Sequence, residues 1–215
     1  MRLRPQLFLD FACSYLPEPP ARVLEVGCGQ GELAEALAER GFEVVAIDPD
    51  APEGPIFHRV ALEDYSDERI FDAVVASVSL HHIEDLAGAL DKIASFLPPA
   101  GVLVLEEFAK ERLAGATSVW YYEQRRALAH AGNAESEVPA DFTEWERHTQ
   151  EDLADIHPAS AIRTELDKRF RERFFEWSPF LYSRRLDDAL EGLERRLIAE
   201  GTIEATGLWY VGERR

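Results

Sequence analysis

Cysteine is nearly absent from this chain: two residues, Cys13 and Cys28, occur among 215. With no Cys-x-x-Cys pair and no matching histidine spacing, neither a disulfide framework nor a zinc site is expected, and no metal is assigned. No run of 18 apolar residues is present, so no membrane-spanning helix is expected. The opening residues, Met1-Arg2-Leu3-Arg4-Pro5, lead into a helical stripe interrupted by Asp10 rather than an apolar signal core, and a cytoplasmic location is the expectation. Positive charge is scarce as well: 23 Lys and Arg stand against 41 Asp and Glu, a formal net charge of -18. Affinity for nucleic acid rests largely on Lys and Arg contacts, so neither a nucleic-acid nor a membrane partner is expected.

What is there is globular in composition, 46% hydrophobic and 30% charged, and the length suits one domain over residues 1–215. Strand patterns at 22–26, 43–47, 56–60, 71–77 and 101–108 alternate with helical patterns at 31–40 and 84–97, and a helix or turn at 63–69. Such alternation predicts an α/β fold, a doubly wound, mostly parallel sheet with helices on both faces. A lid or flank helix precedes it at 3–16, stopped by Pro17, Pro19 and Pro20.

From 109 to 180 the alternation gives way to a helical cap insertion between strands 5 and 6. Three amphipathic stripes are expected there: Trp120, Tyr121, Ala127, Leu128 and Ala131; Phe142, Trp145, Thr149, Leu153 and Ile156, opened by a Thr143-x-x-Glu146 capping box; and Ile162, Leu166, Phe170 and Phe174. Residues 132–158 are acidic and 159–173 basic, so the second and third helices either pair or present solvated charged faces. A helix over 185–200 and a hairpin of two short strands around Thr206-Gly207 complete a sheet of seven strands.

The richest segment is Val23-Leu24-Glu25-Val26-Gly27-Cys28-Gly29-Gln30-Gly31, a buried-strand run ending in a glycine turn that opens a helix. Asp48 closes the next apolar run, which describes a pocket for a ribose-bearing ligand at the carboxyl ends of two parallel strands. The third glycine of a G-x-G-x-x-G dinucleotide fingerprint is missing, and so is a P-loop lysine. Glu25 beside the loop opposes a pyrophosphate and favours an ammonium or sulfonium, which points to S-adenosylmethionine.

On these residues the chain resembles the class I S-adenosylmethionine-dependent methyltransferases of the small-molecule branch. Glu25-Val26-Gly27-Cys28-Gly29-Gln30-Gly31 is similar to their first motif and Asp48 to the acid that holds both ribose hydroxyls. Residues 71–83, ending in Leu80-His81-His82-Ile83, resemble the fourth-strand motif, and 97–105 the turn and strand that follow. The resemblance covers about residues 20 to 108 plus the final hairpin and implies a cofactor set of Glu25, Gly27, Cys28, Gly29, Gly31, Asp48, Pro49, Leu62, Glu63 and Ser77. Ala61 stands where the family often has an adenine-binding Asp, which shifts that role to Glu63 or the Leu62 backbone.

The resemblance further implies His82 and Glu107 as groups assisting deprotonation, with His81 as substitute; the alternative is that the pair caps a helix or packs on the cofactor. The aromatic segment from Phe170 to Tyr182 reads as core packing with a minority of acceptor-pocket contacts, and Tyr121, Tyr122, His148 and Arg173 are the polar candidates there. His130 and His157 read as surface or satisfied residues. The expected activity is methyl transfer to a small organic acceptor, at oxygen ahead of nitrogen or carbon, by a monomer or homodimer. Alternatives are a non-catalytic S-adenosylmethionine-binding protein, a protein side-chain methyltransferase and, disfavoured by the glycine pattern, a nicotinamide oxidoreductase.

Overall fold

Near-continuous Val, Leu and Ala bury both faces of the central strands, and these strands organise a seven-stranded sheet. The computed structural model describes residues 2–132 and 138–215; Met1 and residues 133–137, which fall in the expected insertion and its acidic run, lie outside the described residues. Strands β1 (Arg22–Val26), β2 (Glu43–Asp48), β3 (Phe57–Arg59), β4 (Ala73–Ser77) and β5 (Val102–Phe108) are mutually parallel. With β6 (Phe170–Ser178) and β7 (Gly207–Arg214) the order is β3-β2-β1-β4-β5-β7-β6, and β7 runs antiparallel to both of its neighbours. Helices α1 (Leu3–Cys13) and α2 (Glu32–Glu39) cover one face through Phe8, Leu9, Leu33 and Leu37. On the other face α3 (Leu86–Phe96) and α6 (Ala159–Arg169) bury Leu90, Ile93, Ile162 and Leu166, each worth about 1.5–3 kcal/mol of transfer free energy.

A third core sits at the carboxyl edge of β5. There α4 (Gly115–His130) and α5 (Phe142–Asp152) pack Tyr121, Trp145 and Leu153 against Phe108, Phe180 and Leu181. Helix α7 (Glu191–Ala199) precedes β7. Among the described residues no helix is long and apolar enough to cross a membrane.

Several expectations need correction. The third stripe is helical only to Arg169, and Phe170–Ser178 is strand. Phe170 and Phe174 stand four apart as on a helix face, but a bulge between Glu172 and Phe174 sends them to opposite sides of the sheet, Phe170 into the core with α3 and α6 and Phe174 into the core with α1. The helical insertion therefore ends at 169 rather than 180. The hairpin at 202–213 is instead the single strand β7, inserted between β5 and β6. Gly207 marks close approach rather than a turn, since a Cβ there would lie 2.7 Å from Ser178 Oγ. Helix α5 is capped by Asp141, whose side chain accepts from Glu144 N at 3.0 Å, and not by Thr143, which already lies inside it. Helix α4 buries Thr117, Ser118, Tyr121, Tyr122 and Arg125 while Ala127 faces solvent. Of the helix or turn expected at 63–69, the turn is what forms, closed by Asp64 N on Ala61 O at 3.1 Å and Tyr65 N on Leu62 O at 3.3 Å. Helix α6 packs on α3, where Arg169 holds Asp91 at 2.6 Å and the Ala87 carbonyl at 2.9 Å, so its bases are not matched with the acids of α5.

Candidate functional site

The strand order reverses between β1 and β4, and a crevice opens there beyond their carboxyl ends, as it does generally in open α/β sheets. Its walls are the loop after β1, the end of β2 and the turn after β4. Gly27 has φ +75°, and a Cβ on it would sit 2.2 Å from Ser79 Cβ, so the two loops meet at a distance only glycine allows. Gly29, at φ +51°, has nothing within 4 Å of where its Cβ would be. Asp48 ties this loop to β2: one carboxylate oxygen accepts from Gly29 N at 3.0 Å and the other from Asp50 N at 2.8 Å.

The resulting cavity, about 870 Å³, has Glu25, Gly27, Cys28, Gly29, Asp48, Pro49, Leu62, Glu63, Ser77 and His82 in its wall. Gly31 is not among the lining residues; it turns against the Phe57 ring, 2.5 Å from the site of a Cβ. Sequence reasoning missed Arg2, Arg4 and Pro5, which α1 and the residue before it bring over the cavity, and Val78 and Ser79 after β4. Val78 is β-branched yet adopts φ +55°, a conformation costing about 1–3 kcal/mol that persists only where the surroundings impose it. No residue pattern announces that strain.

Glu25 is 2% exposed and its Oε2 has no hydrogen-bond partner among the described residues. Burial, with the Asp48 charge added, pushes its carboxyl up to about 8. An orphaned carboxylate in the wall of a cavity fits a ligand bearing positive charge or N–H donors, and Gly29 leaves room beside it. The proton on Glu25 gives a measurable sign. Its folded pKa lies above the ordinary value near 4.5, so the free protein loses stability as pH rises from 4.5 to about 8. A cationic ligand selects the ionised form, so binding at pH 7 is expected to release a proton. Calorimetry in buffers of different ionisation enthalpy measures this, and Glu25→Gln should abolish the release.

The paired histidines divide. His82 faces the cavity, and burial, followed by the neighbouring His81 ring, lowers its pKa, so it is neutral at pH 7. His81 points inward, with Nδ1 2.5 Å from Glu107 Oε2. The other oxygen of Glu107 accepts from Leu80 N at 2.7 Å and Ser79 N at 3.1 Å. Glu107 is 0% exposed and its carboxylate is fully engaged in holding the 79–82 turn. Neither Glu107 nor His81 lines the cavity, which corrects the expectation that they act there. The same turn is clamped from the insertion side: His157 N donates to His81 O at 2.8 Å and His157 Nε2 to Ile83 O at 2.9 Å.

The acceptor candidates of the insertion also sit elsewhere. Tyr121 OH donates to Arg184 O at 2.6 Å and Tyr122 OH to Ala140 O at 2.7 Å, both rings being buried in the third core. His148 lies exposed beside Arg147, and Arg173 pairs with Glu213. Their helical or near-aromatic context carried no information about direction. At the cavity's other side Arg4 pairs with buried Glu106 at 2.6 Å, while Ser77 Oγ donates to the same oxygen at 2.7 Å.

Comparison with known proteins gives concordant relatives. Residues 2–176 match the family described as a methyltransferase domain. A ubiquinone biosynthesis O-methyltransferase of Xanthomonas campestris pv. campestris is 31% identical over 166 residues, 69% of this chain and 70% of that protein. Among solved structures, an S-adenosylmethionine dependent methyltransferase from Mesorhizobium loti superposes with a TM-score of 0.60 at 18% identity, covering 95% of this chain and 96% of the other. The N-methyltransferase NodS from Bradyrhizobium japonicum, in complex with S-adenosyl-l-homocysteine, gives 0.58 at 14% identity over 98% and 85%. At these identities the two structures speak for the fold alone.

Proposed function

Since the chain belongs to the S-adenosylmethionine-dependent methyltransferases, we propose that it methylates a hydroxyl oxygen of a small organic acceptor at the mouth of the cavity beside His82. The observation that carries this reading is the order along the wall: an orphaned Glu25 carboxylate, the Asp48 carboxylate and a neutral imidazole line one cavity. Glu25, Asp48, Gly29 and the 61–63 backbone would hold the donor, with Asp48 presenting lone pairs left over from its two backbone bonds. The donor supplies an electrophilic methyl carbon.

The protein's own part is orientation and proton handling. Alignment of reacting atoms about 3 to 3.5 Å apart accounts for much of the acceleration of such displacements. His82, held neutral, is able to accept the hydroxyl proton, and the Glu107–His81 pair keeps the turn beneath it in place. The 31% identical relative is a ubiquinone biosynthesis O-methyltransferase, which supports oxygen over nitrogen or carbon.

A radiolabelled methyl assay over phenols, hydroxy acids and amines tests the reading. Transfer to hydroxyl compounds supports it, and donor binding without transfer to any of them leaves a binding protein instead. Asp48→Ala is expected to weaken S-adenosylhomocysteine binding by about tenfold to a hundredfold, the worth of one or two charged hydrogen bonds. Unchanged affinity in calorimetry would remove Asp48 from the donor site.

A further inference from the structure

His82 rides on a single 3-10 turn, Leu80–His82, too short to fix a side chain by its own hydrogen bonds. Those bonds run from His82 N to Ser79 O at 3.3 Å and from Ile83 N to Leu80 O at 3.1 Å. The turn also follows Val78, whose φ of +55° persists only under constraint from outside. Glu107 constrains the front of the turn through Ser79 N, Leu80 N and the His81 ring. The back is held from the insertion. His157 N donates to His81 O at 2.8 Å and His157 Nε2 to Ile83 O at 2.9 Å, so one residue grips the carbonyls before and after His82. A carbonyl can only accept, so Nε2 carries the hydrogen.

The seat of His157 is fixed separately from the turn. Lys110 Nζ donates to Leu153 O at 2.8 Å and to Ala154 O at 3.2 Å. The Glu111 carboxylate accepts from Ala159 N at 3.1 Å and Ser160 N at 3.0 Å, at the start of α6. Pro158 restricts its own φ and the backbone of the residue before it, and Ile156 and Ala159 are buried on either side. Lys110 and Glu111 follow β5, the strand that carries Glu107. One strand end thus holds the His82 turn twice, directly through Glu107 and at one remove through 153–160. His157 does not line the cavity, whereas His82 and Ile83 do.

We infer that His157 is a positioning residue for methyl transfer, holding the peptides on both sides of His82 so that this imidazole meets the acceptor hydroxyl. Misplacing a reacting group by about 1 Å costs about a hundredfold in rate, and a functional side chain is only as precise as the shell that supports it. A residue that merely docked the insertion on the sheet would act on stability and donor binding together and leave the His82 ring where it is. The inference rests on the reading of His82 as the group that takes the hydroxyl proton.

The test uses the whole protein saturated with S-adenosylhomocysteine. His157→Phe keeps a ring and the main-chain N–H but removes the side-chain donor, and His157→Gln returns an N–H at similar reach. Carbon-13 imidazole resonances follow the titration of His82, a measurement that needs no acceptor. Burial, then His81 and Arg184, lower the His82 pKa, and Glu107 raises it. In His157→Phe the loosened turn admits water and the lowering by burial shrinks, so the His82 midpoint and the acidic limb of kcat/KM both move to higher pH. Turnover of the fastest compound in a panel of phenols and hydroxy acids is expected to fall about tenfold or more, with S-adenosylhomocysteine affinity within about twofold. His157→Gln should recover to within about threefold of the unaltered protein. Should His157→Phe fail to fold, Glu111→Ala, which frees the start of α6 without touching the turn, is expected to move the His82 midpoint the same way. An unmoved midpoint, a loss of donor affinity as large as the loss of turnover, or no recovery in His157→Gln overturns the inference. Methyl transfer undiminished in His82→Ala would instead sink the reading of His82 itself.

Discussion

Gly27→Ala is expected to lower the stability of the protein by about 2–5 kcal/mol and to abolish measurable S-adenosylhomocysteine binding. The figure has two parts. A left-handed backbone costs an L-residue about 1–2 kcal/mol, and forced overlap in a packed site costs about 1–3 more. The overlap is with Ser79, whose Cβ would stand 2.2 Å from the new methyl and whose Oγ donates to Val26 O at 2.8 Å, so neither loop can yield without opening the crevice. Gly29→Ala makes the sharper comparison. Its φ is also positive, but a Cβ there meets no protein atom within 4 Å, so only the conformational cost of about 1–2 kcal/mol remains. If the space above Gly29 belongs to the donor, Gly29→Ala loses at least tenfold in donor affinity with a small loss in melting temperature. Thermal unfolding and calorimetry on the two variants separate packing from binding. Unimpaired donor affinity in Gly29→Ala would place the ligand elsewhere in the cavity.

The first half of the chain was legible because each of its signals has one meaning. A run of buried aliphatic residues between turn signals is a strand, and a glycine loop followed by helix-forming residues fixes direction, so the five parallel strands and the crevice follow. Beyond β5 the signals became ambiguous. The sequence Phe170-Arg-Glu-Arg-Phe-Phe-Glu-Trp-Ser carries apolar residues four apart, a helical spacing, and the bulge between Glu172 and Phe174 breaks the alternation that would have marked a strand, so only pairing with β7 selects it. The sheet still reaches seven strands, though the sixth comes from 170–178 and not from a terminal hairpin. Side-chain direction was the other blind spot. His81 and His82 are adjacent and chemically identical, yet a 3-10 turn sends one to Glu107 and the other to the cavity. Glu194, an acid in a charged helix, gave no hint of being fully buried beneath the Phe180 turn.

Glu107→Gln tests whether that divergence matters to function. The amide keeps the shape and an oxygen for Leu80 N and Ser79 N, but presents an N–H or a weaker acceptor to His81 Nδ1 in place of the carboxylate at 2.5 Å. Loss of one charged hydrogen bond in a buried site costs about 1.5–3 kcal/mol, and the 79–82 turn loosens. His82→Ala is expected to reduce turnover by about a hundredfold to ten-thousandfold, the span of general-base contributions, with donor affinity within threefold. Glu107→Gln should reduce turnover about tenfold or more through misplacement of the same imidazole. The pH profile distinguishes this from simple destabilisation. The Glu107 charge raises the His82 pKa, against the lowering by burial, His81 and Arg184. Without that charge the His82 pKa falls further, so the acidic limb of the kcat/KM profile should move to lower pH in Glu107→Gln. An unshifted limb, or turnover reduced less than threefold in both variants, would show that the acceptor loses its proton without help from this turn.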